Sequence, residues 1–193
     1  MTLEIRYVKR LKMRYDYVEG TPLPEPSLPP GYFWTSWSAA QTKTHARLIY
    51  TAFHRDLDAR VFPTFRSYDA CERLMRAIAS KKEFVPKATW LIGRRGGPSE
   101  QIDYCATIQG MLKGDGTIGG ILNVAVIPTA RRRGLGRALV LKALQGFRDV
   151  GCVQTTLEAT AENSGAVKLY ASLGFVTSRV NYVESYVETG KQF

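Results

Sequence analysis

Two glycines inside a basic turn carry the clearest chemical signal in this chain. The stretch Ile121-Leu122-Asn123-Val124-Ala125-Val126-Ile127-Pro128-Thr129-Ala130-Arg131-Arg132-Arg133-Gly134-Leu135-Gly136-Arg137-Ala138-Leu139-Val140 reads as a buried strand, a turn and an apolar helix. Pro128 has no N–H to donate and ends the strand ladder. Gly134 and Gly136 let the backbone approach a ligand closely. The first N–H groups of the helix have no intrahelical partner and point outward with the positive end of the helix dipole. A pyrophosphate suits such a cradle. Arg131, Arg132, Arg133 and Arg137 add positive charge that steers a polyanion toward it.

A second chemical cluster follows. Thr156-Leu157-Glu158-Ala159 is strand-like, Asn163 or Ser164 can cap a helix, and Ala166-Val167-Lys168-Leu169-Tyr170-Ala171-Ser172-Leu173 forms that helix. Gly174 is placed for a left-handed stop before Phe175. From the residues alone, Tyr170 shares an apolar face with Ala166, Leu169 and Leu173 and fits a core tyrosine. Asn163 equally fits a simple cap.

In register, the two stretches resemble motifs A and B of the GNAT superfamily of N-acetyltransferases, over about residues 88 to 180. The first motif rests on Arg131, Gly134 and Gly136, the second on Asn163, Tyr170, Gly174 and Phe175. The resemblance implies an α/β single domain with a mixed, mostly antiparallel central sheet flanked by helices. It implies acetyl-CoA as cosubstrate, direct attack by a primary amine in a ternary complex, and no metal. By that resemblance the coenzyme lies along Asn123, Val124, Ala125 and Val126, with the Val126 N–H as oxyanion donor. Its phosphates lie on Arg131, Arg132, Arg133, Gly134, Leu135, Gly136 and Arg137, with Asn163 as a further contact. Tyr170 becomes the acid that protonates the departing thiolate. Glu158, at a spacing like that of ribosomal-protein N-terminal acetyltransferases, becomes the base, directly or through water. The base position of histone-type enzymes falls on Gly120.

The elements that must position these groups follow from periodicity. Leu3, Ile5, Tyr7, Leu11, Met13, Tyr15 and Tyr17 alternate as one or two half-buried strands, and Pro22, Pro24, Pro26, Pro29 and Pro30 make a polyproline-like linker. Residues 1–31 are thus an N-terminal β appendage, packed on the sheet or exchanged with a second copy in a homodimer, and 32–193 the catalytic domain. Tyr32 to Trp37 is a short strand, and Ser38 with Gln41 fits a capping box before a helix. Ser67 caps another. Phe62 and Phe65 read as core plugs rather than an acceptor wall. Ala88 to Arg94 and Asp103 to Leu112 are strands joined across Gly96-Gly97-Pro98, and Val176 to Val187 supplies a last strand or hairpin.

Composition bounds the rest. With 193 residues, 45% hydrophobic and 23% charged, the chain suits one globular domain. No apolar run is long enough for a membrane span, which predicts a soluble, cytoplasmic protein. Cys71, Cys105 and Cys152 have no disulfide or zinc spacing, and His45 and His54 fall on opposite helix faces, so no metal is expected. The net charge of +10 is spread along the chain without a nucleic-acid motif. The acceptor is left as an amine on a small molecule or a protein N-terminus. A catalytically silent coenzyme A-binding domain is the alternative reading.

Overall fold

The computed structural model describes residues 2–95 and 102–189, which leaves the Gly96-Gly97-Pro98 turn outside the described residues. One seven-stranded sheet organises them, in the order β2-β3-β4-β5-β6-β1-β7. The strands are β1 (Thr2–Asp16), β2 (Tyr32–Ser36), β3 (Trp90–Arg95), β4 (Ile102–Lys113), β5 (Ile118–Val126), β6 (Gln154–Thr160) and β7 (Val176–Thr189). Every neighbouring pair is antiparallel except β5 and β6. The helices are α1 (Thr42–Phe53), α2 (Asp58–Val61), α3 (Tyr68–Ala79), α4 (Leu135–Arg148) and α5 (Ser164–Ser172). The expected α/β class with a mostly antiparallel sheet is what the chain forms. No helix among the described residues is long and apolar enough to cross a membrane.

Local chemistry explains the ends of several elements. Ser67 caps α3 by accepting from the Ala70 N–H at 3.4 Å, and Asn163 Oδ1 caps α5 by accepting from Ala166 N–H at 3.2 Å. Gly174 adopts φ +96 and stops α5. Ser38 does not make the expected capping box. Its side chain forms no cap bond, a short 3-10 turn over Ala39–Gln41 precedes α1, and Gln41 donates instead to the Tyr104 hydroxyl at 3.1 Å.

Residues 2–16 are not appended to the sheet. They form one interior strand, paired with β6 on one edge and β7 on the other. The alternating pattern therefore holds along half the strand only. Met13 is buried against the core, and Tyr15 packs edge-on to Tyr17 and against Phe175. The Tyr17 hydroxyl donates to the Leu144 carbonyl at 2.8 Å and accepts from Thr155 Oγ1 at 2.8 Å. Before residue 10, β1 pairs with β7 alone in a two-stranded ribbon, so Tyr7 and Tyr182 stand 65% and 64% exposed. The proline linker runs over α4, where Leu23 is buried and Gln145 donates to Glu25.

A polar chain lies sealed between α1 and the sheet. Asn123 Nδ2 donates to Gln109 Oε1 at 3.0 Å, and Gln109 Nε2 donates to Thr107 Oγ1 at 2.6 Å. Thr107 Oγ1 sits 2.7 Å from His45 Nδ1, and Gln109 Nε2 lies 3.3 Å from the same nitrogen. With two donors facing it, Nδ1 is the acceptor and the ring carries its proton on Nε2. That Nε2 is buried without a partner, and burial pushes the His45 pKa down to about 3.

These contacts separate two halves of one strand. Met13→Ala should cost about 2–5 kcal/mol in a denaturant melt, the usual loss for a buried methionine. Tyr7→Ala should stay within about 0.5 kcal/mol. Comparable losses at both positions would contradict the ribbon's exposure. The His45 linkage has a definite sign: its folded pKa lies below the unfolded one, so its contribution is complete above about pH 6.5 and lost as pH falls toward 3. Stability should decline by up to about 1.4 kcal/mol per pH unit in that window from this group. His45→Gln should flatten that part of the curve, and an unchanged slope would mean the imidazole is not sealed from water.

Candidate active site

The site begins where two parallel strands part. β5 and β6 pair only over Ile118 to Gly120 against Gln154 to Thr156, after which they diverge. Ile127 N–H donates to the Cys105 carbonyl at 3.0 Å, toward β4. Because successive residues of a strand turn their backbone groups to opposite edges, Val126 and Val124 present theirs to the gap, while Ala125 and Asn123 present theirs to β4. The Val126 carbonyl accepts from Arg131 Nε at 3.2 Å. Its N–H remains directed into the gap, where a developing oxyanion would need a donor.

One groove of about 470 Å³ runs from the gap over the basic turn. Val124, Val126, Arg132, Gly134, Gly136 and Arg137 line it, with Asn163 and Tyr170 at its inner end. Gly134 is the N-cap of α4 at φ +79, and Arg132 also adopts a left-handed φ of 64, an unusual conformation for a residue with a side chain. Their backbone geometry forms the close turn expected of an anion cradle.

The turn's arginines do different things. Arg131 reaches inward: Nη2 donates to the Ala52 carbonyl at 2.9 Å and lies 3.2 Å from the Asp56 carboxylate, so it clamps the end of α1 to the turn. Arg133 lies with Ser27, Leu28 and Pro29 of the linker in a neighbouring hollow. Arg131, Arg132 and Arg137 all line the groove, Arg137 lining the neighbouring hollow as well.

A second cavity of about 300 Å³ adjoins the first, and the two share Phe53, Val124, Asn163, Ala166 and Tyr170. Its walls are largely apolar, with Phe62, Phe65, Leu74 and Ile78 among them. Phe65 is a core plug as expected, yet both phenylalanines also face this cavity. Asn123, expected along the coenzyme, lines this second cavity instead, because its side chain follows Gln109.

Three titratable groups edge the cavity. Tyr170 is buried at the junction, and its pKa is raised by that burial and then by the nearby Asp58 carboxylate, against a smaller opposing effect of Arg10. It stays a protonated phenol. Glu158 is exposed on the cavity rim opposite Lys12 in the β1 register. Asp58 is the group the sequence did not reveal. It accepts from Arg10 Nη1 at 3.1 Å and from Thr160 Oγ1 at 2.6 Å, while Arg10 also lies 2.7 Å from Thr160 Oγ1. The Arg10 guanidinium stacks 4.9 Å from the centre of the Phe62 ring. No periodic pattern marks these residues, since the partners come from β1, α2 and β6.

Gly120 is the position to which the resemblance assigns the histone-type base. Lys113 fills it: a Cβ on Gly120 would stand 2.4 Å from Lys113 Cε, and the Lys113 ammonium lies 3.3 Å from Thr156 Oγ1. Burial lowers the Lys113 pKa, Glu158 partly restores it, and Lys12 lowers it again. The two lysines and Glu158 therefore share one electrostatic environment on the rim.

Residues 82–175 match the Acetyltransferase (GNAT) family. The chain is 31% identical over 157 residues to a mycothiol acetyltransferase of Thermobispora bispora, covering 80% of this chain and 50% of that protein. It is 44% identical over 64 residues to a ribosomal protein bS18-alanine N-acetyltransferase of Salmonella typhimurium, covering 32% and 43%. A solved GCN5-related N-acetyltransferase from Sphaerobacter thermophilus superposes with a TM-score of 0.70 at 19% identity, over 95% of this chain and 52% of that one. The chain spans half or less of the length of the curated relatives named here.

Main-chain binding at the turn makes a measurable distinction. Gly134→Val should abolish detectable acetyl-CoA binding by calorimetry, because a branched side chain is strained at φ +79 and blocks the approach. Arg132→Ala should weaken it only about two- to fivefold, as expected for a screened, exposed charge. Equal losses in the two variants would refute a main-chain cradle.

Proposed function

We propose that this chain, whose residues 82–175 carry a GNAT acetyltransferase domain, is an acetyl-CoA-dependent N-acetyltransferase. It acts in the cytoplasm on a primary amine by direct attack in a ternary complex. The observation that carries this reading is the meeting of two cavities at Tyr170, Val124 and Asn163, across the gap between β5 and β6. An anionic cosubstrate suits the groove over Gly134 and Gly136. An amine suits the cavity edged by Glu158 and Asp58.

In this reading the amine nitrogen attacks the thioester carbon from the acceptor side, and the carbonyl oxygen, gaining charge, is held by the Val126 N–H. The nitrogen gives up its proton to Glu158, directly or through water. As the carbon–sulfur bond breaks, Tyr170 donates its phenolic proton to the sulfur, and the products are an N-acetylated amine and the free thiol. The acceptor is sought by assaying thiol release with ribosomal-protein N-terminal peptides, amino acids, polyamines and aminoglycosides. A silent coenzyme A-binding domain would release none above the solvent background.

The two proton-transfer residues should give different pH profiles. Tyr170→Phe keeps the ring in its site and should lower kcat about a hundredfold or more with acetyl-CoA binding unchanged. Glu158→Gln should lose most rate below the acceptor's own pKa and recover at high pH, where the amine is already neutral. Full turnover in Tyr170→Phe would leave the ring a packing residue, and a uniform loss at every pH would make Glu158 structural.

A further inference from the structure

The cavity on the acceptor side carries a charge arrangement that the proton-transfer scheme does not use. Arg10 and Thr160 both engage one oxygen of Asp58, Oδ1. Arg10 is 6% exposed and Thr160 1% exposed, and both line the cavity together with Asp58. Arg10 Nε is buried without a hydrogen-bond partner, its guanidinium covered by the Phe62 ring. A guanidinium buried this deeply and held to one carboxylate oxygen is poor economy for stability, because desolvation offsets most of the attraction. It does fix the carboxylate plane, and both bonds fall on Oδ1, which leaves Oδ2 of this cavity-lining residue free of them.

We propose that Asp58 Oδ2 anchors the acceptor's ammonium group, held in position by Arg10 and Thr160, and that the acceptor is a primary amine on a compact apolar body. The inference rests on the acetyltransfer reading given above and names the acceptor class for that site. Three features support the assignment. The cavity's volume of about 300 Å³ suits a small molecule. Phe53, Phe62, Phe65, Leu74 and Ile78 offer that body an apolar wall. The cavity is lined by two carboxylates, Asp58 and Glu158, against one guanidinium, Arg10, which is paired with Asp58 and stacked on Phe62. An ammonium at Oδ2 stands closer to the carboxylate than to the guanidinium behind it, so attraction exceeds repulsion. Asp58 and Tyr170 share the cavity, so an amine held there lies beside the phenol that serves the leaving thiolate. Arg10 and Thr160 are positioning residues in this account, and β1 contributes to the site through Arg10.

The test uses the full chain with coenzyme A bound, and calorimetry with coenzyme A alone first establishes the coenzyme site. The probe is 2-phenylethylammonium chloride, with 2-phenylethanol as its uncharged counterpart. The wild-type protein should prefer the ammonium, and Asp58→Asn should weaken it about tenfold or more while leaving the alcohol unchanged, the loss expected of one charge-assisted hydrogen bond. Asp58→Glu keeps a counterion for Arg10, protecting the fold, and should weaken the ammonium by a smaller factor without affecting the alcohol. Glu158→Gln should change neither by more than about threefold. The proposal is overturned if the wild-type protein shows no preference for the ammonium. It is also overturned if Asp58→Asn retains that preference, if both probes weaken together in the Asp58 variants, or if Glu158→Gln removes it. Failure of coenzyme A binding at the outset would instead count against the acetyltransfer reading itself.

Discussion

The structure depends on the brevity of one strand pairing. β5 and β6 share three residue pairs and then separate, which exposes backbone N–H and C=O groups that a sheet would normally satisfy. An open edge of this kind is a liability unless something pairs with it. Here both grooves of the site open onto it, so an extended ligand can take the place of the missing strand. The separation is stable because neither strand relies on the other. β4 pairs with β5 from Ile118 to Val126, and β1 pairs with β6 from Gln154 to Thr160.

That arrangement gives β1 two tasks. Its second half holds β6 and β7 in one sheet, through Met13 and Tyr15 and through the bonds of Tyr17 to Leu144 and Thr155. Its opposite face delivers Arg10 to Asp58 and Thr160, beneath α2. The N-terminal strand therefore builds part of the cavity wall from a position remote in sequence from every motif. The sealed chain from Asn123 to His45 does the corresponding work on β5, fixing the Asn123 amide plane at the same cavity.

What could be read from the sequence follows from where each constraint lies. Gly134, Asn163 and Gly174 were legible because a turn, a cap and a helix stop each demand a residue type within a few positions. The antiparallel run of β3, β4 and β5 was legible from period and turns. The place of β1 was not, since alternation marks a strand without naming its partners, and both partners lie more than a hundred positions away. Arg131 was read by its charge and its place in the basic turn. Its charge is spent on Asp56, Ala52 and Val126, and no local pattern announces a partner on α1. Asp58 escaped for the same reason.

A net charge of +10 does not fix the charge met inside the cleft, and under the reading proposed above that cleft takes both a polyanion and an amine. Long-range repulsion of a cation is weak at physiological ionic strength, where screening acts over about 8 Å. What matters is the charge within that distance. Arg131, Arg132 and Arg137 line the groove over the turn, the side that the proposed reading gives to a phosphate-bearing cosubstrate. Asp58 and Glu158 stand on the cavity beyond Tyr170. The lining therefore changes from mainly cationic in the groove to mainly anionic in the cavity. Tyr170 sits at the crossover, kept neutral by burial and by Asp58. A neutral phenol there adds no negative charge beside Asp58, which an ionised phenolate at that junction would.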